Sequence, residues 1–165
     1  RAAPHWLQGE PLHTGQRQGD LLRLTWSAYD GTAIRLIQNK SRRRGKPGRE
    51  IYVPLTRSAK LALDGTNRKA VTILANTKGM PWTSNGFRTS WRKACAKAGI
   101  TGLTFHDTRG TAVTMLAEAG ATHPQIAAIT GHSLANVNQI LDRYLNRTKA
   151  LAIAAISKLE AYRGT

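Results

Sequence analysis

The segment from residue 104 to residue 147 constrains the fold most strongly, because glycines divide it into short helices. Gly120 and Gly131 fall where apolar patterns with helical spacing stop, and glycine is the usual residue just beyond a helix C-terminus. The helices are predicted over residues 104–119, 123–130 and 134–145. Short helices joined by tight turns predict a helical bundle that gathers the polar residues of this segment.

Four polar residues of the segment suggest one reaction. His106 and Arg109 are three apart, so on a helix they are predicted to share a face. His132 lies in a Gly-His-Ser turn, and Tyr144 follows twelve positions later. A nucleophilic hydroxyl with cationic and imidazole donors is what attack on a phosphodiester requires.

Each of the four also has an ordinary structural explanation. His106 can cap a helix or enter the core, Arg109 can pair with a nearby acid, and His132 can cap the next helix. Tyr144 falls on an apolar helix face, where an aromatic residue usually belongs to the core. Singly, these explanations are the better ones, but the four residues in this order are much harder to obtain by chance.

Upstream, residues 32–55 predict a β-hairpin, since two alternating apolar runs flank a connection rich in glycine and proline. Helices are predicted after it, one capped by Thr56 or Ser58 and one capped by Ser84 and ended by Gly99. Residues 71–74 predict a short strand. The expected class is α+β and mostly helical, with a small antiparallel hairpin packed on a helical bundle.

The charge balance favours a polyanionic partner. The chain has 25 Lys and Arg against 9 Asp and Glu, a formal net charge of +16, which favours a polyanion such as DNA over a solubilising excess of charge. The hairpin tip and one face of the helix after Ser84 are the candidate contact surfaces, although each could simply be solvated. The candidate DNA-binding residues are Arg42, Arg43, Arg44, Lys46, Arg49, Arg88, Arg92 and Lys93.

Several function classes are disfavoured. No apolar run reaches the length of about 18 residues that spans a bilayer, so no membrane role is expected. The single cysteine, Cys95, gives no disulfide framework or cysteine metal site and fits a reducing, cytoplasmic compartment. No cluster of carboxylates suits Mg²⁺, so neither a metal nor another cofactor is expected.

Together the motifs resemble the signature of the tyrosine recombinases, the phage-integrase family. The stretch from Thr14 to Leu22 is similar to the family's first-arginine motif, with Arg17 as that arginine and Asp20 in place of the more usual Glu. Lys40 matches the lysine of the family's β-hairpin, and Lys46 competes for that role. The resemblance covers roughly residues 12 to 160.

Residue chemistry suits this assignment. A tyrosine hydroxyl, with a pKa of about 10, is a poor nucleophile unless its developing charge is stabilised. Arg17 and Arg109 can fork onto the non-bridging oxygens of a scissile phosphate, and His132 can donate a further hydrogen bond to them. The nucleophile is then Tyr144.

Three further residues complete the expected site. His106 is a general base or positioning group for the nucleophile, and Lys40 or Lys46 protonates the departing 5′ oxygen. Asp20 orients a neighbouring group rather than reacting. The resemblance implies a 3′-phosphotyrosyl intermediate that retains the phosphoester energy, so rejoining needs no ATP.

The resemblance also implies an organisation larger than this chain. Residues 1–165 are expected to be one catalytic domain, a fragment whose N-terminal core-binding domain is absent. Recombination would need a homotetramer, while the isolated fragment could be monomeric and could bind DNA weakly. The predicted last helix, residues 149–163, could dock on a neighbouring protomer or pack in cis. A bacterial, phage or mobile-element source is expected, with a type IB topoisomerase or a non-catalytic DNA-binding module as alternatives.

Overall fold

In the computed structural model, residues 14–38, 48–144 and 149–164 are described. These ranges contain two strands and seven α-helices, which confirms the predicted mostly helical α+β class. The elements are α1 (Gln18–Leu21), β1 (Ala33–Gln38), β2 (Arg49–Pro54), α2 (Arg57–Asp64), α3 (Ser84–Lys97), α4 (Asp107–Glu118), α5 (His123–Thr130), α6 (Leu134–Tyr144) and α7 (Lys149–Arg163). Within the described ranges, none of these helices has the length and apolar character needed to cross a bilayer.

The predicted hairpin is confirmed. Strands β1 and β2 pair antiparallel, with Ala33 opposite Pro54 and Gln38 opposite Arg49. Ile34 and Leu36 are buried while Ile37 is 52% exposed, so β1 alternates after its first residue. The alternation holds from Ile34 to Gln38 and turns Gln38 inward, where its side chain is buried.

Three local predictions are corrected. Helix α3 is capped by Thr83 rather than Ser84, because Oγ1 of Thr83 accepts from the backbone N–H of Gly86 at 3.1 Å. Helix α4 begins at Asp107 and not at residue 104, and the Thr104 hydroxyl donates to the Asp107 carboxylate at 2.7 Å. Residues 71–74 do not form a strand but make one isolated bridge, Thr25 to Thr72.

Other helix signals are confirmed. Thr56, one of the two proposed caps, accepts from the backbone N–H of Ala59 at 3.2 Å. Gly131 ends α5 with a φ of +68°, a left-handed conformation that glycine adopts without strain.

The buried side chains form three groups that hold the elements in place. One joins α1 to α3 through Phe87, which meets Phe105 edge to face at 5.1 Å between ring centroids. A second lines the inner face of the hairpin. The third locks α4, α5 and α6 together, with Val113, Ile126 and Val137 fully buried. Rigid packing of these helices fixes the α5–α6 turn relative to the hairpin and α1.

Candidate active site

Arg109 is the buried centre of the site. It lies in the first turn of α4, and only 2% of the residue is exposed. Its Nη1 donates to the carbonyl of Gly15, and its Nη2 donates to the carbonyl of Thr130 at 3.3 Å. The carbonyl groups of two distant chain segments therefore anchor one guanidinium.

Gly15 allows that close approach. Its φ is +61°, and a Cβ there would lie 3.0 Å from the Thr130 side chain and 3.2 Å from Ala112. A larger residue would be strained and crowded at this point. The glycine therefore lets the segment that carries Arg17 rest directly on α4 and α5.

A second arginine lies near the first. Burial, and then the charge of Arg17, lower the pKa of Arg109 to about 10. Arg109 remains protonated at neutral pH, because that value is still well above neutrality. The Arg17 side chain is 30% exposed. The site thus has one buried and one accessible guanidinium, a group that can form paired hydrogen bonds with phosphate oxygens.

Two buried glutamines connect Arg17 to the α5–α6 turn. Oε1 of Gln38 accepts from Nη1 of Arg17 at 2.8 Å. Nε2 of Gln38 donates to Oε1 of Gln16 and to the carbonyl of Thr130, both at 3.1 Å. Nε2 of Gln16 donates in turn to the carbonyl of Ile129 at 2.6 Å. A Cβ at position 131 would collide with the Gln38 amide, so that turn lies directly against the hairpin.

The surroundings of His132 indicate where its proton lies. A guanidinium can only donate, so Nε2 of His132 accepts from Nη2 of Arg109, 3.0 Å away. Nδ1 lies 2.9 Å from Oγ1 of Thr130, and that hydroxyl donates to the carbonyl of Ile126 at 2.7 Å. These partners assign the proton of the neutral ring to Nδ1. His132 does not cap α6, since Oγ of Ser133 accepts from the N–H of Asn136.

Asp20 lies behind the accessible arginine. It is 7% exposed, 3.9 Å from Nη1 of Arg17 and 3.0 Å from Nη2 of Arg23. Its place beside one guanidinium agrees with an orienting role.

His106 differs from the buried residues of this cluster in its exposure. It occupies the N-cap position of α4 and is exposed, whereas Arg109 three residues later is buried. The two side chains therefore differ in their exposure to solvent. Among the described contacts, no hydrogen bond joins His106 to Arg109 or His132.

The remaining predicted catalytic residues are described only in part. Tyr144 is the last residue of α6, and its side chain lies outside the described part of the chain. Both candidate lysines, Lys40 and Lys46, also lie outside it, as do Arg42, Arg43 and Arg44 of the hairpin tip. The other four predicted DNA-contacting residues are all exposed: Arg49, Arg88, Arg92 and Lys93.

Sequence reasoning missed three buried residues of the site: Gln16, Gln38 and Thr130. For Gln38 a signal existed, since it has the same strand parity as Ile34 and Leu36. No sequence signal marks the other two.

Solved structures define the class of this domain. A crystal structure of XerA recombinase matches with a TM-score of 0.69 at 20% identity, covering 97% of this chain and 58% of that one. The catalytic core of lambda integrase matches with a TM-score of 0.62 at 26% identity, covering 79% of this chain and 81% of that one. The fold is that of a tyrosine-recombinase catalytic domain.

Sequence comparison gives the family. The family model described as "Phage integrase family" matches residues 11–150, and the chain belongs to this family. It is 35% identical over 156 residues to a shufflon-specific DNA recombinase of Escherichia coli, which covers 92% of this chain. The chain spans 36% of the length of that relative.

Proposed function

We propose that this chain is the catalytic domain of a site-specific DNA recombinase or integrase, which cleaves and rejoins DNA by transesterification. The observation that carries the proposal is the convergence of Arg17, Arg109 and His132. Hydrogen bonds through Gln38 and Thr130 join these three groups, although up to 115 positions separate them in sequence. Two guanidinium groups beside an imidazole suit the non-bridging oxygens of a phosphodiester.

In the proposed reaction, the Tyr144 oxygen attacks the scissile phosphorus. The new bond joins this oxygen to phosphorus, and the bond to the 5′ oxygen breaks, leaving a 3′-phosphotyrosyl link and a free 5′ hydroxyl. Arg17 and Arg109 stabilise the charge that develops on the phosphate, and each such donor is worth on the order of 10²–10³ in rate. Their fixed charges remove the need for a metal ion, and the retained ester removes the need for ATP.

Proton transfers complete the proposal. His106 takes or positions the Tyr144 proton, and Lys40 supplies a proton to the departing 5′ oxygen, with Lys46 as the alternative. His132 donates to a phosphate oxygen, which requires a proton on Nε2 rather than the acceptor state of the DNA-free site. DNA binding must therefore change its hydrogen bonds.

The proposed partner is double-stranded DNA, and the exposed basic residues of α3 and Arg49 support contact with its backbone. Solved relatives include a lambda integrase dimer bound to a core site and a tetramer bound to a Holliday junction. We extend tetramer formation to the whole protein that contains this domain, acting in the cytoplasm. Helix α7 suits docking on a neighbouring protomer, because Ile153, Ile156 and Leu159 are 42–56% exposed.

Of two alternatives, one uses the same cleavage chemistry and the other does not cleave DNA. A type IB topoisomerase would relax supercoils through the same link, and a non-catalytic module would bind DNA without cleaving it. Similarity to the shufflon recombinase favours recombination. The presence of the complete set in one chain argues against a decayed site: Arg17, Lys40, His106, Arg109, His132 and Tyr144.

The test of the nucleophile is covalent trapping on nicked suicide duplexes, in which the cleaved end diffuses away and rejoining is lost. Because the target sequence is unknown, a duplex pool with randomised arms is used. We expect the unmodified protein to become attached to DNA and Tyr144→Phe to give no adduct. Tyr162→Phe is the matched control, since Tyr162 is 89% exposed on α7. Trapping by Tyr144→Phe would exclude Tyr144 as the nucleophile, and no trapping by the unmodified protein would favour the binding module.

The acid is identified with a 5′-thio leaving group, which departs without protonation. We expect Lys40→Ala to slow cleavage of an ordinary duplex by roughly 10²–10⁴ and to regain speed on the thio substrate. The same pattern for Lys46→Ala alone would assign the acid to Lys46.

A further inference from the structure

Thr130 takes part in five of the hydrogen bonds of the site. It is fully buried at the end of α5. Its carbonyl accepts from Nη2 of Arg109 and from Nε2 of Gln38. Its hydroxyl contacts Nδ1 of His132 at 2.9 Å. The backbone and the side chain of Thr130 thus serve different partners and can be tested separately.

We propose that the Thr130 hydroxyl is a positioning group that lets His132 serve both the resting and the reacting site. The inference rests on the proposed function, because it concerns how His132 comes to donate to a phosphate oxygen. A hydroxyl can accept or donate and rotates between the two, so it can partner Nδ1 in either form of the neutral ring. A methyl group in its place can do neither.

In the resting site, Nδ1–H donates to Oγ1 and Nε2 accepts from Arg109. When a phosphate oxygen takes the Arg109 donor, Nε2 needs a proton of its own to bind that phosphate. The ring then loses the Nδ1 proton to water and gains one on Nε2 from water, so its charge is unchanged. The Thr130 hydroxyl hydrogen turns from the Ile126 carbonyl to Nδ1.

The cost of this rotation is limited. Ile126 is four residues before Thr130 in α5, so its carbonyl is also placed to accept from the Thr130 N–H in the helix. The carbonyl therefore keeps an acceptor role when the hydroxyl leaves it. A weaker contact from the backbone N–H of His132 to Oγ1, at 3.4 Å, is compatible with either orientation of the hydroxyl hydrogen.

The test compares Thr130→Val with Thr130→Ser. Valine keeps the shape and the backbone carbonyl but lacks the hydroxyl, whereas serine keeps the hydroxyl. Cleavage is measured as single-turnover attachment to a trapped suicide duplex, and DNA affinity is measured separately. We expect valine to slow cleavage by about 10-fold to 100-fold, as loss of a group that orients a reacting residue does, with affinity changed less than about twofold. Serine should stay within about threefold of the unmodified protein.

A second readout needs no DNA. Nitrogen NMR of labelled histidine, assigned with His132→Asn, should show Nδ1 of His132 protonated and hydrogen-bonded in the unmodified and serine proteins. In Thr130→Val the Nδ1 resonance of His132 should shift. If serine is as slow as valine, or if valine cleaves at the normal rate, the hydroxyl has no role in the reaction and the proposal is overturned. An Nδ1 signal unchanged in valine overturns it equally.

Different results would overturn the proposed function and the proposed role of the Thr130 hydroxyl. An unmodified protein that forms no adduct with any duplex would remove the proposed function. The nitrogen spectra would still decide whether the hydroxyl holds the His132 ring, since they are recorded on the free protein.

Discussion

Arginines occur in this chain in two contrasting settings. Arg109 is buried against carbonyl groups from two other segments, and burial lowers its pKa to about 10. Arg92 lies on the exposed face of α3, beside Lys93. The same side chain therefore serves as a fixed charge in the first setting and as a solvated one in the second.

The difference between the two settings is that burial fixes the orientation of the charged group. Desolvation of Arg109 is unfavourable, and its bonds to carbonyls hold the guanidinium plane in one orientation. A held charge can stabilise a transition state without reorganising, whereas a solvated one mainly attracts the DNA backbone. The comparison predicts that changes in the buried cluster alter rate and that changes on α3 alter affinity.

The largest effect on cleavage rate is expected when Arg109 loses its planar guanidinium but keeps its positive charge. Arg109→Lys should slow single-turnover cleavage by on the order of 10²-fold or more, because an ammonium cannot bond the Gly15 and Thr130 carbonyls and a phosphate with one planar group. Arg92→Lys is the matched control and should stay within about twofold at saturating DNA. Arg17→Lys makes the same change at a more accessible position, where misfolding is less of a risk. Slower cleavage there would show that loss of the planar guanidinium, and not misfolding, is the cause. Equal losses at Arg109 and Arg92 would remove the distinction between the two settings.

A smaller effect is expected from the glutamine behind Arg17. Gln38→Leu removes the acceptor for Arg17 and leaves the Gln16 amide oxygen without this donor, so we expect cleavage to slow by about 10-fold to 100-fold. The free energy of unfolding, from urea titration, should fall by about 1–3 kcal/mol. Ile37→Leu is the control on the opposite, exposed face of β1, with an expected change within about 0.5 kcal/mol. Equal cleavage rates in the two variants would show that Gln38 does not position Arg17.

The sequence singled out the proposed reacting groups but not the residues that support them. Arg17, Arg109 and His132 belong to local motifs with fixed spacings, which can be found without knowing the fold. Gln38 and Thr130 meet across 92 positions of sequence, and this contact exists only after the hairpin has packed on α5. Strand parity indicated that Gln38 is buried but not which groups it would meet.

Local rules also failed where two polar residues competed for one role. Thr83 and Ser84 can both cap a helix, and the hydroxyl that precedes the first helical residue does so. At α4 the backbone N–H and the hydroxyl of Thr104 both donate to the Asp107 carboxylate, and the helix begins at Asp107 instead of residue 104. His106 is exposed at the N-cap position of α4, one of the two ordinary positions that the sequence allowed, but its side chain makes no capping hydrogen bond.

The smallest effect on rate is expected on α3, where the comparison predicts a change of a different kind. The double variant Arg92→Ala, Lys93→Ala should lower the slope of log affinity against log salt by about 2, roughly 1 for each phosphate that is no longer neutralised. Its cleavage rate at saturating DNA should be unchanged, because neither side chain belongs to the buried cluster. The measurement is a binding titration over a range of salt concentrations. An unchanged slope with slower cleavage would reverse the assignment, since it would place α3 in the reaction and not on the DNA backbone.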